Sequence, residues 1–259
     1  MSGQFDGQTA IVTGSSKGIG KAIAMKFAAE GANVVTNSRS YERAAETSEE
    51  IEAAGGTALP VETDVSDPDS VAALVDATVE RFGRLDVMVN NAGMTIIGPA
   101  EEMDPADWQK VIDVDLSGVF YGSQAAGRQL IEQGDGGAIV NVSSMMGSMG
   151  LDRRTPYCAA KGGVDNMTRT LAVEWAEHDI HVNALAPGYI RTAITDQSQA
   201  SAGYTDQDIQ NRTPLGRYGS TEEMANCVLF LAAQNNFVTG EVLTADGGWS
   251  AYAWGSEGK

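Results

Sequence analysis

Seven short apolar runs, rich in β-branched residues, recur along the chain, and helical patterns fill the intervals between them. The runs cover residues 9–13, 33–37, 58–62, 87–90, 138–143, 181–186 and 242–245. Most lack a polar–apolar alternation, so both faces of each strand must be covered. The helical patterns at 18–29, 41–54, 70–82, 105–132, 157–178 and 221–233 supply that cover. Strands alternating with helices imply a parallel sheet, and right-handed crossovers wind it both ways from its middle. The sequence therefore predicts a doubly wound α/β fold. It has a seven-stranded parallel sheet, helices on both faces, and one domain across residues 1–259. Residues 190–212 are polar after an apolar strand and are expected to form an irregular insert or lid.

The chain has 259 residues, 42% of them hydrophobic, which suffices for one sizeable core. It has no apolar run of about 18 residues, the length that a membrane span needs. The opening MSGQFDGQTA has neither a basic flank nor an apolar stretch, so no signal peptide is expected. Two cysteines, Cys158 and Cys227, make no disulfide framework, and a reduced cytoplasmic protein is expected. Acidic residues number 35 against 17 basic, a net charge of −18. Such a surface repels nucleic acid, whose binding rests on phosphate neutralisation, and also repels anionic membranes. Self-repulsion on this scale, with arginine outnumbering lysine, suggests a cytoplasm rich in salt.

TGSSKGIG, residues 13–20, stands between the first strand and the first helix. Gly14, Gly18 and Gly20 let backbone approach a diphosphate, and the helix N-terminus offers free N–H groups and a positive dipole end. Ser16, Lys17 and Ile19 complete this candidate dinucleotide turn of a Rossmann fold. The second strand ends in Ser38-Arg39-Ser40, where an acidic residue usually holds the adenosine ribose hydroxyls. A guanidinium there suits a 2′-phosphate, and Lys17 adds a second positive charge. These residues predict NADP(H) over NAD(H).

In TPYCAAK, Tyr157 precedes Lys161 by four residues, so the two side chains share a helix face. An ammonium near a phenol favours phenolate, which suits tyrosine to general acid and base work. Upstream, Ser143 and Ser144 end a strand, and a hydroxyl there is placed to bond a substrate oxygen.

Together these residues resemble the short-chain dehydrogenase/reductase family, in the family's order and over nearly the whole chain. TGSSKGIG matches the cofactor turn. Asp64 and Val65 match the adenine contact. NNAG, with Asn91, Ala92 and Gly93, matches the end of the fourth strand. PGYIRT, with Pro187, Gly188, Ile190 and Thr192, matches the segment beside the nicotinamide, and TGEVLTADGG the last strand. Ser144, Tyr157 and Lys161 match the catalytic serine, tyrosine and lysine. The resemblance implies that Tyr157 exchanges a proton with the substrate oxygen, that Lys161 binds the nicotinamide ribose, and that Ser144 orients the substrate. It implies no metal and a homotetramer. His178 and His181 flank a helix-to-strand turn and are expected to be structural.

One position departs from the family. VIDVDLSGVF carries Asp115 where the family usually has asparagine, whereas Asp113 matches an ordinary helix residue. By its position Asp115 is expected to be one of the catalytic residues. It is expected either to pair with Lys161 through water or to raise the lysine pKa.

The substrate is less legible. RTLAVEWAEHDIHVNALAPGYIRT and RTPLGRYG look most like branches acting on sugars, sugar acids and polyols, of the gluconate 5-dehydrogenase kind. Met146 and Tyr189 are candidate substrate contacts, with Met94, Met145, Met149, Tyr204 and Trp249 as further pocket walls. The alternative is a reductase of 3-oxoacyl thioesters. Its acidic carrier would need a basic mouth, which Arg153, Arg154, Arg191 and Arg212 are placed to supply. A non-catalytic NADP(H)-binding regulator is a third reading.

Overall fold

In the computed structural model, residues 3–192 and 204–253 are described. Strands β1 (Thr9–Val12), β2 (Asn33–Ser38), β3 (Thr57–Glu62), β4 (Val87–Asn90), β5 (Gly137–Val142), β6 (Ile180–Pro187) and β7 (Val242–Ala245) form one seven-stranded sheet. Every pairing is parallel, in the order β3-β2-β1-β4-β5-β6-β7. The order reverses between β1 and β4, which opens a crevice at the strands' C-terminal edge. The doubly wound expectation holds.

Helices α1 (Gly18–Ala29), α2 (Tyr41–Ala53), α3 (Pro68–Phe82), α4 (Pro105–Ile112), α5 (Gly118–Gln133), α6 (Thr155–Glu174), α7 (Asp206–Arg212) and α8 (Thr221–Ala232) connect the strands. Two buried clusters show why both faces of the strands are apolar. Val12, Val34, Val140 and Leu185 pack with Ile23, Phe27, Val228 and Leu231 of α1 and α8. Ile11, Val35, Met88, Ile139 and Val182 pack with Leu74, Ala126, Leu130 and Leu171 of α3, α5 and α6. Each fully buried aliphatic side chain contributes about 1.5–3 kcal/mol of transfer free energy.

The helix starts differ in a way that bears on the site. Asp67 and Asp104 cap α3 and α4, Ser40 caps α2, and Thr205 and Ser220 build capping boxes on α7 and α8. Lys17 and Arg154, which open α1 and α6, make no side-chain cap. The first N–H groups of those two helices therefore lack the side-chain partner found at the starts of α2, α3, α4, α7 and α8, whereas α5 continues directly from the turn before it.

Two expectations change. The helix expected over 105–132 is interrupted by a π-helical turn, Asp113–Ser117, between α4 and α5. Apolar periodicity continues through such a turn, so the sequence pattern does not reveal it. Residues 190–212 are not irregular throughout. Ile190 bridges to Gly219, and α7 covers the last seven positions of that stretch. Residues 193–203, the middle of the expected lid, lie outside the described residues.

Candidate active site

The glycine turn is built by close approach. Gly14 has φ +63, and a Cβ there would stand 2.9 Å from the Ala92 Cα. A Cβ on Gly20 would fall 2.3 Å from Asn91 Nδ2 and 2.5 Å from the Gly14 carbonyl oxygen. Asn91 Nδ2 donates to the carbonyls of Thr13 (2.8 Å) and Gly14 (3.2 Å). The backbone N–H groups of Asn91 and Ala92 both donate to Thr13 Oγ1, at 2.9 and 3.0 Å. Gly14 N–H donates to Asn37 Oδ1 at 3.1 Å. The ends of β1, β2 and β4 are thus tied by uncharged hydrogen bonds, with the free start of α1 beside them. Thr192 lies over the turn, since a methyl on Gly18 would meet its Cγ2 at 3.7 Å. Ile19 packs against the core, Ser16 is half-buried, and Lys17 is exposed.

At the end of β2, Ser38 Oγ accepts from Ser40 N–H at 3.3 Å, and Ser40 caps α2 through Arg43 N–H. Arg39 is exposed. Among the described residues neither Arg39 nor Lys17 has a carboxylate within 4 Å, whereas Lys21 is held by Glu50 at 2.7 Å. Asp64 accepts from Ser66 N–H (3.0 Å) and Oγ (2.7 Å). Those bonds, with Arg39 nearby, hold its carboxyl below the ordinary range against the effect of burial. Val65 is buried, and its carbonyl leaves no room for a Cβ at Gly118.

Past the end of β5, Ser144 Oγ accepts from Met146 N–H at 3.2 Å, at the head of a 3-10 turn. Ser143 donates to the Asp165 carboxylate beneath it. Burial raises the Asp165 pKa, and that bond opposes the rise. Tyr157 is half-buried in the first turn of α6. Lys161 Nζ stands 5.6 Å from its ring centroid and donates to the Val142 carbonyl at 3.0 Å.

Asp115 is fully buried, in the π-helical turn. Its Oδ1 accepts from Met94 N–H at 2.8 Å, and its Oδ2 lies 3.3 Å from Lys161 Nζ. The expected water-bridged pair is therefore corrected to a direct one. The π turn carries the side chain close enough, and Gly93 leaves room, since a Cβ there would meet Oδ2 at 3.0 Å. Burial pushes the Lys161 pKa down, but the charge of Asp115, with lesser help from Tyr157 and Asp165, outweighs it and leaves the pKa raised. Burial raises the Asp115 carboxyl, against the pull of the lysine. Asp113, by contrast, accepts from Gln109 at 2.7 Å on the helix exterior.

Beyond β6, Pro187 ends the strand, and Gly188 packs so tightly that a Cβ would stand 2.6 Å from the Asp246 Cα. Tyr189 meets the rings of Trp249 (4.9 Å), Tyr204 (5.7 Å) and Tyr218 (6.5 Å). Burial, above all, raises its pKa. Met145 and Met146 are buried, while Met94 and Met149 are half-buried. The sequence reading missed the Thr13 hydroxyl and the π turn. Thr13 directly precedes the first glycine of the turn, a signal within reach. The turn left none.

A doubly wound sheet with a glycine turn at its switch point, and a serine, tyrosine and lysine on the same edge, defines a nicotinamide-type oxidoreductase. A family model described as enoyl-(acyl carrier protein) reductase matches residues 14–250. The chain is 41% identical over 258 residues to the 3beta-hydroxysteroid dehydrogenase 1 of Eggerthella lenta, covering 97% of each. It is 41% identical over 246 residues to the 3-oxoacyl-(acyl-carrier-protein) reductase FabG of Thermotoga maritima, covering 95% of this chain and 98% of that one. Its fold superposes with TM-score 0.90 on a gluconate 5-dehydrogenase from Burkholderia cenocepacia in complex with NADP and tartrate. Those two chains are 34% identical, with 96% and 97% covered. The chain belongs to the short-chain dehydrogenase/reductase family, whose members bind a nicotinamide cofactor.

Proposed function

We propose that this chain is an NADP(H)-dependent dehydrogenase that interconverts a secondary alcohol and a carbonyl on a sugar, sugar acid or polyol. The observation that carries the reaction class is the buried Lys161 ammonium beside the Tyr157 ring. In oxidation Tyr157 Oη takes the proton of the substrate hydroxyl, and in reduction it returns that proton to the carbonyl oxygen. Lys161 places positive charge where negative charge develops on the phenol oxygen. Ser144, at the end of β5, orients the substrate oxygen. The nicotinamide, when bound, supplies or accepts the hydride. The uncapped start of α1 and the glycine turn, with no room for side chains at Gly14 and Gly20, fit a diphosphate.

NADP(H) rather than NAD(H) is supported by Arg39 and Lys17, two exposed cations with no carboxylate within 4 Å among the described residues. The sugar-acid class is supported by the likeness to the gluconate 5-dehydrogenase. A basic mouth for an acidic carrier is weakened, because Arg191 is paired with Asp206 at 2.8 Å and Arg212 stacks on Trp249 and Tyr252 at 5.0 Å. One domain, a salt-rich cytoplasm and a homotetramer complete the reading. The exposed Phe120 and Val173 on α5 and α6 support an interface.

The test is absorbance at 340 nm in molar KCl. The panel holds sugars, sugar acids, polyols and 3-hydroxyacyl thioesters, with NADP⁺ and with NAD⁺. Turnover of a sugar-type substrate with NADP⁺, and an Arg39→Ala variant that loses the NADP⁺ preference, are expected. Turnover of thioesters alone would establish the reductase alternative. Cofactor binding with no turnover of anything would favour the regulator.

A further inference from the structure

We propose that Arg154 is a specificity-determining residue that binds a carboxylate of the substrate, so that the enzyme selects sugar acids over neutral sugars and polyols. The proposal rests on the dehydrogenase reading above and narrows its substrate class.

Arg154 is buried, with only 7% of its surface exposed. A guanidinium has five N–H donors and no acceptor. Among the described residues its one hydrogen bond goes to the Asp152 carbonyl, at 3.5 Å, and no carboxylate lies within 4 Å of it. A buried cation with no ionic partner and a single long hydrogen bond is costly, and native proteins normally supply more. The position compounds the cost. Arg154 is the N-cap of the 20-residue helix α6. That place favours serine, threonine, aspartate or asparagine, and the helix dipole opposes a cation there. The start of α6 consequently has no side-chain cap. An anion at this spot would satisfy the guanidinium and the free helix N–H groups together.

The location suits a substrate. Arg154 lies three residues before Tyr157, and its charge acts on the Tyr189 phenol, opposing the rise that burial causes. Gly98 N–H donates to the Arg153 carbonyl at 2.9 Å, which holds the loop after NNAG against this corner. That loop carries Thr95, whose buried Oγ1 has no hydrogen-bond partner. The neighbouring arginines serve otherwise. Arg153 is exposed at φ +59, Arg191 is paired with Asp206, and Arg212 is stacked. Arg154 alone of the four is both buried and without an acid or an aromatic partner. A carboxylate matches its fork bidentately.

The experiment titrates the NADPH complex with tartrate and with threitol, which share a four-carbon dihydroxy skeleton and differ in charge. NADH replaces NADPH if only NADH binds. Wild type is expected to bind tartrate at least 10-fold more tightly than threitol. Arg154→Met is expected to weaken tartrate roughly 10- to 100-fold, the scale of a lost charge-assisted pair, with cofactor and threitol affinities unchanged. Arg154→Lys should recover part of the loss. Equal tartrate affinity in wild type and Arg154→Met, or no preference for tartrate in wild type, would overturn the proposal. If Arg154→Met fails to bind cofactor, Arg154→Gln and Arg154→Lys are compared in its place. Binding is read without turnover, so failure of the dehydrogenase reading leaves this result separate.

Discussion

The start of α8 and the floor of the candidate active site each hold one ion pair, and the two could hardly differ more. Arg217 and Glu223 approach to 2.6 Å, with side chains 53% and 43% exposed. Asp115 and Lys161 stand at 3.3 Å, with side chains 0% and 4% exposed. The first pair has the better geometry and is exposed, and its glutamate also belongs to the capping box with Ser220. The second is longer, yet beyond one backbone hydrogen bond each, to Met94 N–H and the Val142 carbonyl, each partner relies on the other to offset its loss of hydration. Desolvation, not contact distance, sets how much depends on a pair.

The largest effect that would sharpen this contrast comes from Lys161→Met. It strands a fully buried carboxylate, and a destabilisation of about 3–5 kcal/mol in urea titration, with loss of turnover, is expected. A loss under about 1 kcal/mol would mean that Asp115 is protonated or hydrated. Tyr157→Phe leaves the pair intact. Turnover should fall roughly 100- to 10,000-fold with the urea midpoint unchanged, separating chemistry from support.

Asp115→Asn is gentler, since the amide keeps the shape and removes the charge. Asp115 is the chief influence holding the Lys161 pKa up against burial, and removing its charge leaves the buried ammonium uncompensated. The pH–rate profile for oxidation should move toward acid. Superimposable profiles would reduce Asp115 to a spacer.

Glu223→Gln is the smallest. Hydrogen bonding to Arg217, above all, lowers the Glu223 pKa from 4.5 to about 2. The folded pKa is below the ordinary one, so its stabilisation is present above pH 4.5 and fades as pH falls toward 2. The pair is exposed, so the variant should lower the urea midpoint only slightly at pH 7, and not at all well below pH 2. Stability curves in molar KCl, where screening weakens this pair but spares the buried one, would break the comparison if both responded alike.

Much of the site was legible before the fold. The glycine turn, Asn91, Ser144, Tyr157 and Lys161 sit in short local motifs whose spacing carries their geometry. Tyr157 and Lys161 share a helix face because four residues make about one turn. Asp115 was legible as an oddity, a carboxylate within an apolar run. Its direct ion pair with Lys161 was not, because the π turn that delivers it leaves the apolar pattern unchanged. Arg154 reads in the sequence as one of two adjacent arginines. Only burial separates it from the exposed Arg153.

The amino-acid order alone settled the number of strands, their parallel pairing and the edge that gathers the candidate site residues. Periodicity and turn chemistry are local, and few topologies satisfy them together. It also settled the charge of the surface, which is a sum over residues. Which charges lose their water was decided by tertiary packing. Asp115 and Lys161 are 46 residues apart, and Arg154 and Tyr189 are 35 apart. Desolvation depends on everything that surrounds a group in space, and no window of the sequence contains it.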